Sequence, residues 1–541
     1  MWAHRTRTLE GFLHAEGGTL VDGRGEPLIL RGVGLGSWLL PEGYMWKFES
    51  PGPQSPHEIE GLIVDLVGLE SAGEFWRRFR EVFITEKDIA RIRAEGMNHV
   101  RLPINWRVVM DEDGRHVESG FDLIDRLIGW CRAHELWVVL DLHGAPGGQT
   151  GTHIDDSLHG KPELFTNDGY RELTIKLWRA IARRYRDETA VAAYDLLNEP
   201  LPHEYQHLYA DRLRDLYVDL TAAIREVDPN HAISYEGTHW ATNWSIFSEV
   251  WDPNSVLQFH KYWSPPDRPS IQAYIDTGRR LGLPIYMGEG GENHLDWIQT
   301  AFQLYDDCGI SWNFWPWKKV NTSTSPCSVV APEGWQRIIE FAAGRAVKPT
   351  RTEAWSVLSE LLDAMAIERC DYRPEVISAL FRRPPLKIPA VGFGFRGAGR
   401  SYRTFAAEPL RGFRNDDEVT IRRLPGAKAG ELDWNHSLDG TRSAEDGLVV
   451  SLGDGEWVAY DFELSEATAV DFEVASADGQ LAIEVSVDGL PLVEDTAGVG
   501  NVRASTNASL AAGSHVVRIT GAAPRSLVRA IEIRPQRRQA I

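Results

Sequence analysis

The sequence predicts a parallel (β/α)8 barrel followed by an all-β sandwich, and three observations carry that reading. Short apolar runs alternate with segments of helical period through the first 340 residues, the pattern of βα units around a parallel sheet. Eight such runs can be counted, the number that closes a barrel. Tryptophan is uneven, with 18 of 20 before residue 360, so the chain has two parts of different make-up.

The runs are LILRGVG (28–34), HVRLPI (99–104), LWVVLDLH (136–143), AAYDLLN (192–198), AISYEG (232–237), VLQFH (256–260), PIYMGE (284–289) and ISWNFW (310–315). Thr85 with Asp88 forms a capping-box pattern at the start of one intervening helix, and Gly96 stands at its end. Leu173, Leu177, Ile181 and Tyr185 recur at spacings of four and give another helix an apolar stripe toward the barrel. Residues 41–84, rich in Pro, Gly and Trp, form an insertion after strand 1, at the C-terminal rim where it can wall a site. Residues 345–381 have helical character and end a barrel domain spanning 1–381. The prolines of RRPPLKIPA then mark 382–392 as a linker. Beyond it, 393–541 alternates apolar and polar residues in WVAYDFEL, AVDFEVAS, LAIEVSVDG and SHVVRITG, the signature of a sandwich.

Composition narrows the function. The 541 residues are 43% hydrophobic and 25% charged, as in ordinary globular proteins. A net charge of -21 with no basic patch argues against nucleic-acid and anionic-membrane partners, and no apolar run is long enough to span a bilayer. Four cysteines without a CxxC pair suit a reduced compartment. The N-terminal stretch lacks the apolar core of a secretory signal, so a cytoplasmic location is expected.

In such a barrel the reactive side chains lie at the C-terminal ends of strands. Glu199 in LLNEP and Glu289 in IYMGEGG stand there, facing one mouth. Two carboxylates about 5–5.5 Å apart suit retaining glycoside hydrolysis, one as acid/base and the other as nucleophile. Arg101 can hold a nucleophilic carboxylate ionised, which predicts a low pKa for Glu289 and a raised one for Glu199. His143, His260 and Tyr262 offer neutral donors to sugar hydroxyls and carboxylates, Asn198 an amide for the 2-hydroxyl, and Trp315 an aromatic face for a pyranose. Glu236 and Glu292 are the rival strand-end carboxylates. GVGLGS (32–37) lacks the third glycine and the following helix of a dinucleotide site, and the cluster His153, Asp155, Asp156, His159 reads as a solvated loop. Trp46 and Trp76 are candidate pocket walls. Trp434 and Tyr402 are candidate exposed sugar platforms on the sandwich, the favoured alternative being an inert or barrel-bracing sandwich with few aromatics, and Trp457 lies in its core.

Over residues 17–360 the chain resembles glycoside hydrolase family 5, in its exo-β-1,3-glucanase and β-glucosidase branch. The resemblance lies in GVGLGSWLLPEGYM, FITEKDIARIRAEGMNHVRLPI, DLHGAPGGQTG, LLNEP, FHKYW and MGEGG. It implies Glu199 as acid/base, Glu289 as nucleophile, Arg101, His143, Asn198, His260, Tyr262 and Trp315 as subsite partners, and no metal or organic cofactor. GGENH after Glu289 departs from the Trp and Ser usual in that branch, which favours a short β-glucoside or oligosaccharide over a β-1,3-glucan polymer. The C-terminal part looks like carbohydrate-binding modules of the family 6 and 35 type. An endo-glucanase or mannanase of the same family, or a non-catalytic carbohydrate-binding protein, are the other readings.

Overall fold

The computed structural model describes residues 9–405, 407–424, 432–435, 443–497 and 500–536; residues 1–8, part of the segment read for a leader, lie outside these. Eight parallel strands close into the predicted barrel: β1 (Arg31–Gly34), β2 (His99–Asn105), β3 (Trp137–Gly144), β4 (Val191–Asp195), β5 (Ala232–Glu236), β6 (Ser255–Lys261), β7 (Ile285–Gly291) and β8 (Ser311–Trp315). β8 returns to β1, with Trp312 opposite Arg31 and Phe314 opposite Val33. Every residue of β2 and β3 is buried, as expected for strands covered on both faces. The capping box at Thr85 and Asp88 opens the helix Glu86–Ala94. Residues 237–254, between β5 and β6, hold turns in place of a helix. No helix among the described residues is long and apolar enough to cross a membrane.

The insertion after β1 folds into the helices Pro56–Val67 and Leu69–Val82 with an aromatic core of its own. Trp46 lies buried in that core, its ring 5.2 Å from Phe79 and 6.2 Å from Trp335, and half-buried Trp76 packs against it at 5.9 Å. Both were expected as candidate pocket walls; they hold the insertion together instead. The loop after β3 is solvated only in part, with His153 and His159 exposed as expected and the two aspartates not. Asp155 and Asp156 are buried, Asp155 accepting from the amides of Thr150 and Ser157 at 2.6 and 3.0 Å. Asp156 accepts from the His57 amide at 2.9 Å and from Asn105 Nδ2 at 2.8 Å. The Trp335 indole donates to the Trp46 carbonyl at 3.0 Å. The segments after β1, β3 and β8 are therefore in direct contact, although β2 stands between β1 and β3 in the barrel.

The C-terminal part is two antiparallel sheets. Its first strand lies inside the expected linker: β9 (Leu386–Pro389) pairs with β10 (Ser526–Pro535), Leu386 opposite Ile533 and Ile388 opposite Ile531. The alternation of Leu386 and Ile388 carries this strand despite the neighbouring prolines. Tyr402 and Trp434 are buried to 4% and 8% exposure, against the exposed-platform reading and in keeping with the barrel-bracing one. Trp434 packs on Phe413 at 4.8 Å, and its carbonyl accepts from Asn293 Nδ2 of the barrel at 2.9 Å. Trp457 is buried, with the Arg518 guanidinium 4.0 Å from its ring centre.

Arg414 fastens this region. Its buried guanidinium donates to the carbonyls of Val391, Phe393 and Gly394 at 2.8, 2.7 and 2.8 Å and to Asp417 at 2.6 Å, while its backbone amide donates to Asp267 of the barrel at 2.8 Å. Removing a buried, fully bonded charge strands its partners, so Arg414→Met is expected to cost about 3–5 kcal/mol. Arg414→Lys should recover only part of that, because an ammonium cannot reproduce the planar fork. Urea unfolding midpoints check both variants.

Candidate active site

Arg101, on β2, is wholly buried at the floor of the barrel mouth. It donates to Asp195 at 2.9 Å, to Glu289 at 2.8 Å and to the Asn198 side-chain oxygen at 2.8 Å, with Asp141 at 3.1 Å and Glu236 at 3.2 Å. Burial opposes its charge, but these carboxylates outweigh burial and hold the guanidinium more firmly protonated than usual. One cation cannot neutralise four acids. Burial raises Asp141 to about 8 and Asp195 to about 6, so protons remain in this network near neutrality.

The expected residues converge here. Glu289 accepts from Arg101 on one oxygen and from the Tyr262 hydroxyl, at 2.6 Å, on the other. Glu199 lies four residues beyond β4 in a left-handed conformation (φ 44°), a geometry that costs a non-glycine residue free energy. Two bonds fix it: its amide donates to Glu236 Oε2 at 2.6 Å, and His260 Nδ1 donates to its carboxylate at 2.7 Å. Oxygens of Glu199 and Glu289 and a nitrogen of His260 all lie within 4.8 Å of one another. Glu236, a rival from sequence, thus braces Glu199. Glu292, the other rival, is paired with Lys319.

The protonation pattern differs from expectation. His260 is not a neutral donor: burial works against its charge, but Glu236, Glu289 and the bonds to Glu199 and Glu236 lift it well above the usual histidine range. Burial pushes Glu199 up, yet the His260 bond and charge outweigh it and leave the carboxyl below its ordinary value. Burial, helped by the Glu199 charge, holds Glu289 above its own, despite His260 and Arg101. The expected order of the two glutamates is reversed in the free site because the second cation, His260, sits on Glu199. His143 is the neutral histidine, lowered to about 4 by burial. Its Nδ1–H donates to Asp141 at 2.7 Å, so Nε2 is the acceptor that meets the Asn198 amide at 3.3 Å.

Trp315 is buried to 1% exposure, its ring parallel to His143 at 5.7 Å and 7°, its indole donating to the Tyr44 hydroxyl at 2.8 Å. A Cβ at Gly34 or Gly36 would lie 2.4 or 2.6 Å from this indole. The glycines of GVGLGS therefore make room for Trp315. Sequence reasoning missed Asp141, Asp195, Gln258 and Glu42. Asp141/His143 and Gln258/His260 are polar pairs spaced by two in apolar strands, which was the available signal that both point into the barrel. Glu42 is buried beside the mouth, its Oε1 without a hydrogen-bond partner, and is raised by burial and by the charges of Glu289, Glu292 and Glu199.

Residues 60–321 match the cellulase family, glycosyl hydrolase family 5. A β-xylosidase of Phanerodontia chrysosporium is 30% identical over 349 residues, 57% of this chain and 71% of its own length. A probable glucan 1,3-β-glucosidase A of Emericella nidulans is 31% identical over 276 residues, 48% of this chain and 66% of its own length. Cellodextrinase A of Ruminococcus flavefaciens is 28% identical over 293 residues, 46% of this chain and 84% of its own length. With its parallel barrel and two glutamates at the C-terminal mouth, the chain belongs to glycosyl hydrolase family 5 and is a glycoside hydrolase.

Proposed function

We propose that the protein is a retaining β-glycosidase that releases one terminal sugar from β-glucosides or short β-gluco-oligosaccharides. The observation that carries this reading is the spacing of Glu199 and Glu289, whose oxygens lie within 4.8 Å. Inverting enzymes hold their carboxyls about 6.5–9.5 Å apart to admit a water, whereas about 5–5.5 Å suits direct attack by one of them. The names of the relatives, two of them a β-xylosidase and a glucan 1,3-β-glucosidase, agree with an exo-acting β-glycosidase.

In the first step Glu289, aligned by Arg101 and Tyr262, attacks the anomeric carbon as Glu199 protonates the departing oxygen. The Glu199–His260 pair carries one proton, and its passage along their 2.7 Å hydrogen bond supplies the acid. In the second step the pair takes a proton back from water, which attacks the glycosyl-enzyme. Exo action is supported by the joined segments after β1, β3 and β8, which gather on one side of the barrel, where they can block subsites beyond the terminal sugar. Release of mid-length fragments from a labelled oligosaccharide would favour an endo-glucanase or mannanase. A silent carbohydrate-binding protein would not need a buried cation to align a carboxylate.

Glu289→Ala is expected to lower turnover by about four orders of magnitude or more, with azide restoring activity and giving an α-glycosyl azide identified by NMR. Rescue of Glu292→Ala in its place would move the nucleophile. Glu199→Gln should slow substrates with poor leaving groups by about 10²–10⁴-fold, while an activated phenol is released in a burst followed by a stall. Equal losses on both substrates in pre-steady-state kinetics would remove Glu199 from the acid role. The pH dependence of kcat/KM follows from the shifts. Activity is lost on acidification as Glu289 protonates, above its ordinary 4.5, and lost on the alkaline side as the Glu199–His260 pair gives up its proton, above the ordinary 6.5 of histidine. An alkaline limb below that value contradicts the shared proton.

A further inference from the structure

Trp263 is the one exposed tryptophan among the described residues, with 55% of its surface open, whereas the others are buried or half-buried. It directly follows Tyr262 at the end of β6, and the two rings lie 5.6 Å apart at 39°. Tyr262 bonds Glu289, and His260, three residues before Trp263, bonds Glu199. The indole N–H donates to the Glu292 carbonyl at 3.3 Å, which fixes the ring against the rim of β7. This exposed aromatic surface therefore lies beside Tyr262 and the Glu292 backbone, on the rim next to the strand end that carries Glu289.

The loop that carries it is held from three directions. Lys261 Nζ donates to Ser264 Oγ at 2.6 Å, the Trp297 indole to the Ser264 carbonyl at 2.8 Å, and the Arg414 amide, from the sandwich, to Asp267 at 2.8 Å. A large apolar side chain kept rigid in water and tied to neighbouring strands offers a flat surface at little entropic cost to a ligand. Its place in the closed barrel gives it a side. β6 lies opposite β2, away from the joined segments after β1, β3 and β8, and Trp315 with its partner His143 stands on β8 and β3. The group that leaves must depart past Glu199, whose carboxylate is bonded to β6 itself through His260.

We propose that Trp263 is the platform of the leaving-group subsite, where it stacks on the flat apolar face of a departing ring, either a pyranose or an aryl aglycone. The assignment rests on the retaining reading above. Because the subsite that holds the leaving group also receives an acceptor when the first step runs backward, it can be read without the acid step. The enzyme is trapped as its glycosyl-enzyme with a 2-deoxy-2-fluoro-β-glucosyl fluoride, seen by mass as an added sugar, and is then reactivated by water, methanol, cellobiose or benzyl alcohol.

In Trp263→Ala the two ring-bearing acceptors should lose at least about tenfold relative to water and methanol, the scale of one aromatic contact, and Trp263→Phe should recover part of the loss. Loss with cellobiose alone assigns the platform to a sugar, and loss with benzyl alcohol alone assigns it to an aryl group. Unchanged ratios for both overturn the proposal while leaving the retaining reading intact. Failure of the wild type to form the adduct overturns the retaining reading and this assignment with it.

Discussion

The site is organised by a cation that water cannot reach. Arg101 rises from β2 and ties itself to side chains on or beyond β3, β4, β5 and β7, so five of the eight barrel strands meet at one guanidinium. An ion buried this deeply is tolerated only with excellent geometry, and four carboxylates around it supply more negative charge than it can match. Part of the excess is settled by protons, on Asp141, which is raised to about 8, and on His260. Acid–base behaviour at the mouth is therefore a property of the whole network.

The rest of the barrel serves to keep that network in register. Gly34 and Gly36 let Trp315 lie against β1, and Trp315 in turn supports His143 in the tautomer that the Asn198 amide, held by Arg101, selects. On the other side, the sandwich reaches the loops beyond β6 and β7 through Arg414 and Trp434, whose partners Asp267 and Asn293 lie within a few residues of Tyr262 and Glu289. Apolar burial builds the scaffold, and a small number of charged and polar contacts decide where its loops stop.

Much of this was legible in the chain. Apolar runs located all eight strands, because a strand covered on both faces must be written almost wholly in apolar residues. Polar residues at the ends of those runs located Arg101, His143, Asn198, Glu199, His260, Tyr262 and Glu289, which the fold brings together. What was hidden depends on pairing across distance. The charge on His260 follows from Glu236, a strand away, and reverses the expected order of the two glutamates. Tyr402 and Trp434 stayed open between exposed platform and brace because alternation shows which residues share a face but not what that face meets. The strand Leu386–Pro389 was overlooked because prolines on its flank looked like a break.

That short strand changes how the two halves of the chain can be treated. A binding module joined by a tether can be cut away, moved to another enzyme, or exchanged in the course of descent without touching the catalyst. Here the segment that leaves the last barrel helix enters the sheet of the next region within five residues, with Arg414 closing over the carbonyls that follow. A cut at this junction would take a strand out of a sheet and part Arg414 from the carbonyls it holds, so the C-terminal region is best engineered together with the barrel.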